Sequence, residues 1–338
     1  MIKSLTLGAI AALCLMASMA VAGTLEDVKA RGTLTCGVNT GLTGFGAPDA
    51  KGAYQGFDAA LCKAVAAAVL GDATKVRYVP NTVQDAFAAL SSGEVDLLAR
   101  NVTWTFSRDT DLKFDFPVVS YFDGQGFLVQ KTLGVSSARE LDGARICVQS
   151  GSAAEANLTD YFKANGIKYI AVFVADDGEA QRQFLAGACD TITADVSVLS
   201  AQRATMIGSD AYVILPEVIS KEPLGPVVRH GDNAWGDIVR WTYYALLTAE
   251  EKGITKANID EVATATQDPE VRRLLGLEGD MGLMLGLDPD WAKRAIAASG
   301  NYGEIFEANI GITTPVKLAR GLNALWTQGG LQYAPPFR

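Results

Sequence analysis

With one histidine in 338 residues, the sequence lacks most of the side-chain chemistry that a chain of this size could use for catalysis. His230 stands in Val228-Arg229-His230-Gly231 with no Ser or Cys nucleophile recognisable beside it, so acid–base catalysis by imidazole has a single poor candidate. The patterns G-x-S-x-G, Walker A and H-E-x-x-H are missing, which argues against the commonest hydrolases and nucleotide binders. C-x-x-C spacing is missing as well, so neither a metal nor a cofactor is expected. Positive charge is in deficit: Lys and Arg number 29 against 38 Asp and Glu, a formal net charge of -9. That balance repels nucleic acid and anionic lipid, and neither is an expected partner.

Long apolar runs are also scarce. The one present, Leu5 to Met19, follows Lys3 and ends in Ala20-Val21-Ala22 before Gly23. It is shorter than the roughly 20 residues a membrane helix needs and has small residues on its flank, the pattern of a Sec signal peptide over 1–22 cleaved after Ala22. Cys14 is followed by Leu15, so no lipobox is evident. A soluble periplasmic product is expected. Its four remaining cysteines, Cys36, Cys62, Cys147 and Cys189, form an even set in an oxidising compartment, where disulfides are the default. Three pairings are open. Cys36–Cys62 with Cys147–Cys189 is preferred because each bond then stays within one predicted lobe.

Hydrophobic periodicity gives a strand at Thr33–Val38, a helix from Phe57 to about Leu70 and a strand at Val76–Val79. A helix opened by Thr82 and closed at Gly93, then a strand at Val95–Ala99, completes a β-α-β-α-β series. The plan repeats after an extended stretch from Asp115 to Gln130: strand Arg145–Gln149, a helix to Asn165 with Ser152 and Glu155 as a capping box, strand Tyr169–Val174, and helix Gln181–Ala188. Two chain crossings, near Gly124 and Gly225, then make a hinge. The expected class is α/β and two-lobed, each lobe a mostly parallel sheet flanked by helices. Lobe one comprises 23–123 plus 226–338 with a helical C-terminal extension, and lobe two comprises 124–225. No low-complexity linker interrupts this order.

Ligands in such sheets sit beyond the carboxyl ends of strands, at helix N-termini. Three strand ends qualify: Ala99 to Arg108, with a hydroxyl and a guanidinium five positions apart; Gln149-Ser150-Gly151-Ser152-Ala153, a turn at a helix start; and Ala194-Asp195, an acid before a helix. These segments carry a resemblance, together with Leu34-Thr35-Cys36-Gly37-Val38-Asn39-Thr40-Gly41, Ser220-Lys221-Glu222-Pro223-Leu224-Gly225-Pro226, Gly300-Asn301-Tyr302-Gly303-Glu304 and Tyr333-Ala334-Pro335-Pro336-Phe337-Arg338. Over the whole mature chain the sequence resembles the polar amino-acid-binding proteins of ABC importers, bacterial solute-binding protein family 3. It is most similar to the general L-amino-acid-binding subfamily, the AapJ or BztA type.

The resemblance implies a type II periplasmic binding protein with a two-strand hinge, monomeric and not an enzyme. It would close on a free L-amino acid and deliver it to an inner-membrane ABC permease. Arg108 and the Thr103 hydroxyl would hold the α-carboxylate with the N–H groups of Ser152 and Ala153, and Asp195 and the Asn101 carbonyl would hold the α-ammonium. Asn39, Thr40 and Val83 would face the side chain. Val83 stands where glutamine- and histidine-binding relatives usually carry an aromatic, and Gln149 where they carry Lys or Arg, which points to broad recognition. The rival readings are a dehydratase-like periplasmic enzyme on the same fold and a ligand-sensing subunit for a membrane receptor.

Overall fold

The computed structural model describes residues 23–338; the signal-peptide reading of 1–22 lies outside the described residues. Two mixed sheets organise the chain. In the first, Leu34–Val38 lies between Val76–Pro80 and Leu97–Thr103, all three parallel. Glu222–Arg229 extends it antiparallel beyond Leu97–Thr103 and carries the short strands Phe114–Asp115 and Tyr121–Asp123. The second sheet repeats the plan. Ala144–Gln149 lies between Tyr169–Val174 and Thr191–Asp195, all parallel, and Gln125–Gln130 and Tyr212–Ile214 follow antiparallel.

The helices form where the sequence places its apolar faces and stops. Phe57–Leu70 ends at Gly71 in the left-handed conformation. Thr82 caps Val83–Ser92 by accepting from the Asp85 N–H at 3.2 Å. Two readings change. Ser152 occupies the N-cap of Ala153–Asn165 without capping it, because its hydroxyl donates to the Gln149 carbonyl at 2.7 Å and Glu155 accepts from the Gly151 N–H at 3.0 Å. The expected helix over 181–188 instead runs Asp177–Leu185. Asp176 starts it early by accepting from the Glu179 N–H at 2.7 Å.

Between the sheets the chain crosses twice. Asp123 closes a strand of the first sheet and Gln125 opens one of the second, so Gly124 alone makes the outward crossing. The return is complete by Glu222, where Glu222–Arg229 begins and pairs with Asp123; Gly225 already lies within the first sheet, opposite Val102. The crossings are bonded to each other through the Ile219 N–H to the Gln125 carbonyl at 2.9 Å and the Gln125 N–H to the Ser220 hydroxyl at 3.2 Å. A Cβ on Gly124 would meet Val218 Cγ1 at 2.2 Å and the Ser220 carbonyl oxygen at 2.8 Å, so no other residue fits without shifting that partner crossing.

The disulfides Cys36–Cys62 and Cys147–Cys189 both form, one fastening a strand of the first sheet to the Phe57–Leu70 helix, the other tying Ala144–Gln149 to the turn that precedes Thr191–Asp195 in the second. The larger core belongs to the first sheet, where Phe57–Leu70 packs against Asn233–Glu251, Trp291–Ser299 and Tyr302–Asn309. Alanines along the Phe57–Leu70 helix, with Ala292 and Ala295 facing it, let these helices approach closely. The C-terminal tail then reaches back to the hinge. Asn323 bonds the backbone of Phe122 twice, accepting from its N–H at 2.6 Å and donating to its carbonyl at 3.0 Å.

Candidate functional site

The carboxyl ends of both sheets meet around one cavity. Leu97–Thr103 supplies Arg100, Asn101, Val102 and Thr103, the following short helix supplies Arg108, and Val83–Ser92 supplies Val83 and Phe87. Across the gap stand Gln149, Ser152, Ala153 and Ala154 at one helix start, Asp177 at another, and Thr193 to Asp195 at the end of a strand. About 60 Å³ is open to the centre of a water-sized sphere. One water needs roughly 10–15 Å³ on that measure, so the space suits a single small molecule and not a polymer.

Eight of the nine sequence-predicted residues, Arg108, Thr103, Asn101, Ser152, Ala153, Asp195, Asn39 and Val83, line this cavity. Thr40 does not. The Asn39 side chain accepts from the Gly41 N–H at 3.1 Å, and this turn leaves Thr40 exposed. Arg100, Phe87 and Asp177 went unassigned in the sequence, as did Asp123 and Glu222 just behind the cavity. An arginine continuing the apolar strand Val95–Ala99 was a usable signal for the first; the two hinge acids have no local signature.

One end of the cavity suits an anion. Thr105 caps the turn carrying Arg108 by accepting from its N–H at 3.3 Å. The guanidinium donates through Nη1 to the Thr103 carbonyl at 2.8 Å and lies 5.2 Å from the Phe87 ring centroid. Burial, and then Arg100, hold the Arg108 pKa below its ordinary value, against the pull of Glu222 and Asp195. Opposite is the N-terminus of Ala153–Asn165, which no side chain caps. Its first-turn N–H groups and the positive end of its dipole add to the arginine.

The other end suits a cation. Asp195 sits at the N-cap of Val196–Thr205 without capping it. Asp123 takes that place from the hinge by accepting from the Ser197 N–H at 3.2 Å, which leaves the Asp195 carboxylate to the cavity. Burial pushes the Asp195 pKa well above the ordinary carboxylate range, with Asp123, Glu222 and Asp177 adding to the push and Arg108 opposing it. Burial likewise raises Asp123 to about 6, against hydrogen bonds from Ser197 and Gly124. Glu222 accepts at Oε1 from Asn157 Nδ2 at 2.6 Å, while its Oε2 is buried without a partner. Acids crowded together at this end create a demand for a bound cation.

His230 is far from this chemistry. It lies outside the cavity lining, half exposed, with Nδ1 3.3 Å from Asp115 Oδ1. No helix among the described residues is long and apolar enough to cross a membrane.

Known proteins share this architecture. The chain is 68% identical over 336 residues to the glutamate/glutamine/aspartate/asparagine-binding protein BztA of Rhodobacter capsulatus, covering 99% of each. It is 57% identical to the general L-amino acid-binding periplasmic protein AapJ of Rhizobium johnstonii, covering 97% of this chain and 96% of that one. Among solved structures, a Brucella ovis ABC transporter/periplasmic binding protein with glutathione bound superposes with a TM-score of 0.91 at 52% identity, covering 94% of this chain and 100% of that one. All three are named as binding proteins. Residues 34–257 match the family described as bacterial extracellular solute-binding proteins, family 3, and to that family the chain belongs.

Proposed function

We propose that this chain is the periplasmic capture component of an ABC importer for L-amino acids, a binder that makes and breaks no covalent bond. The observation that carries the reading is the division of charge across the cleft. Arg108 and Thr103 come from the part that holds the first sheet, while Asp195 and the N–H groups of Ser152 and Ala153 come from the second. A zwitterion placed between them satisfies both, and only in the closed arrangement, so ligand selects closure.

In this reading the α-carboxylate is held by Arg108, Thr103, Ser152 and Ala153, and the α-ammonium by Asp195 with the Asn101 carbonyl; Asn39 and Val83 flank the side chain. The moving units are residues 23–123 with 222–338, and residues 124–221, the boundary expected at 225/226 moving to Glu222 because the strand that starts there pairs within the first sheet. The leader is removed after Ala22, and the closed monomer presents its joined lobes to the permease. Two charge-assisted contacts of about 1.5–3 kcal/mol each, with the remaining hydrogen bonds, reach the roughly 8 kcal/mol of micromolar affinity.

Calorimetric titration with L- and D-amino acids, arogenate and prephenate, followed by product analysis, tests this. Unaltered L-amino acid recovered from a saturable complex is the expected outcome, and a chemically changed ligand would restore the enzyme reading. Arg108→Ala should weaken every amino acid alike, by about tenfold or more. Loss confined to one ligand would remove Arg108 from the shared carboxylate site.

A further inference from the structure

Within that cleft one charged side chain has opposite charges near it but no hydrogen-bond partner. Arg100 is 5% exposed, its Nε is buried without a hydrogen-bond partner, and its guanidinium lines the cavity. Asp58 and Asp177 act on it through space, but neither hydrogen-bonds it. A buried guanidinium that two carboxylates attract but neither hydrogen-bonds, with its Nε left unsatisfied, is costly. What it lacks is an acceptor, and a ligand can bring one.

Asp177 supplies the complement. It starts the Asp177–Leu185 helix on the second-sheet side, and its Oδ2 accepts from Asn39 Nδ2, across the cleft, at 3.2 Å. Like Arg100, it lines the cavity. Neither residue is needed by the zwitterion, whose two poles are taken by Arg108 and Asp195.

Building on the proposed amino-acid reading, we infer that Arg100 and Asp177 form the side-chain subsite and select a ligand side chain that ends in a carboxylate or a carboxamide. Arg100 donates to the oxygen of either group. Asp177 is the adjustable partner: ionised, it accepts from a carboxamide NH2; protonated, it donates to a carboxylate. A carboxylic acid group can play both parts, which explains how one site takes acids and amides without rearrangement. The groups that set its protonation are Arg100 across the cleft, Asn39 as donor, Asp176 beside it and Asp195 further along the cavity. Burial raises the Asp177 pKa most, Asp176 adds to the rise, and Asn39 and Arg100 oppose it.

The test is calorimetry on the full mature chain with L-glutamate, L-glutamine, L-aspartate, L-asparagine and L-alanine. Wild type should prefer the first four to alanine, and Arg100→Met should cut the glutamine-to-alanine and glutamate-to-alanine affinity ratios by about tenfold or more, the worth of a charge-assisted hydrogen bond. An equal loss for all five ligands, or no loss, would overturn the assignment. If Arg100→Met does not fold, the wild-type pH dependence decides. The glutamate-to-glutamine ratio should rise as the pH is lowered, because burial raises the Asp177 pKa and the protonated acid donates to a carboxylate, and Asp177→Asn should flatten that rise. A wild-type ratio that ignores pH sinks the proposal. Because Asp195 meets the ammonium of both ligands equally, its own titration cancels in the ratio. Failure of every amino acid to bind wild type would instead condemn the amino-acid reading itself.

Discussion

In the proposed reading, Asp195 is a residue prepared for a ligand at the expense of the empty protein. Its carboxylate is buried among Asp123, Glu222 and Asp177, an arrangement that favours the protonated form until an ammonium arrives. The pH dependence follows. Folded-state values for Asp58 at about 7 and Asp123 at about 6, with Asp195 well above the usual range, exceed the value of 3.8 for an unperturbed carboxyl. Between about pH 4 and pH 7 the folded protein therefore holds protons that the unfolded chain has released, and its stability falls as pH rises. Carboxyls with lowered values, such as Asp190 and Asp268, act in the opposite direction but below that window. The unliganded melting temperature should rise on going from pH 8 to pH 5, measured by calorimetry, and saturating ligand should shrink the difference. Affinity itself should run the other way, falling as the pH is lowered, because a protonated Asp195 no longer offers the charge that the ammonium needs. An apo melting curve that is flat across this range would show that these acids are not buried in solution.

Among the elements, the outward crossing is the most constrained. Gly124→Ala places a methyl against Val218 and the Ser220 carbonyl, so the two crossings must separate. A loss of about 1–3 kcal/mol in urea unfolding is expected, of the size seen for overpacking, together with weaker ligand binding. The disulfides are different in kind, because each stays within one sheet's territory. Removing Cys36–Cys62, which closes a 26-residue separation, should cost about 3–4 kcal/mol by loop-entropy reasoning and move ligand affinity by no more than a few-fold. Reduction that abolished binding at unchanged secondary structure would mean the bonds shape the cleft directly.

Much of this element order was legible in the chain, and the exceptions have physical causes. The Phe57–Leu70 helix appears at its expected limits because apolar spacing and a terminal Gly define it, and the Tyr169–Val174 strand because an unbroken run of apolar and aromatic residues does. Asp177 was hidden by a start read four residues late, although Asp176 followed three positions on by Glu179 is a capping signal. Ser152 misled in the opposite way: its hydroxyl prefers the Gln149 carbonyl, which leaves the helix start open to the cavity. Thr40 could not be placed without knowing that Asn39 folds the chain back on Gly41. Asp123 and Glu222 lie about a hundred residues apart and act together only because two strands pair at the hinge.

At the scale of the whole molecule, the bond between Asn323 and Phe122 bears on other copies of the chain. Phe122 lies opposite Pro223 in its strand pair, and without Asn323 its outward N–H and carbonyl would stand open as a free strand edge. Proteins whose halves hang on two thin connections are candidates for trading halves with a neighbour, beginning at such an edge. Here a side-chain amide from the tail fills the vacancy with the geometry of a missing strand. The last stretch of the chain thus covers an edge at which a second copy could otherwise pair.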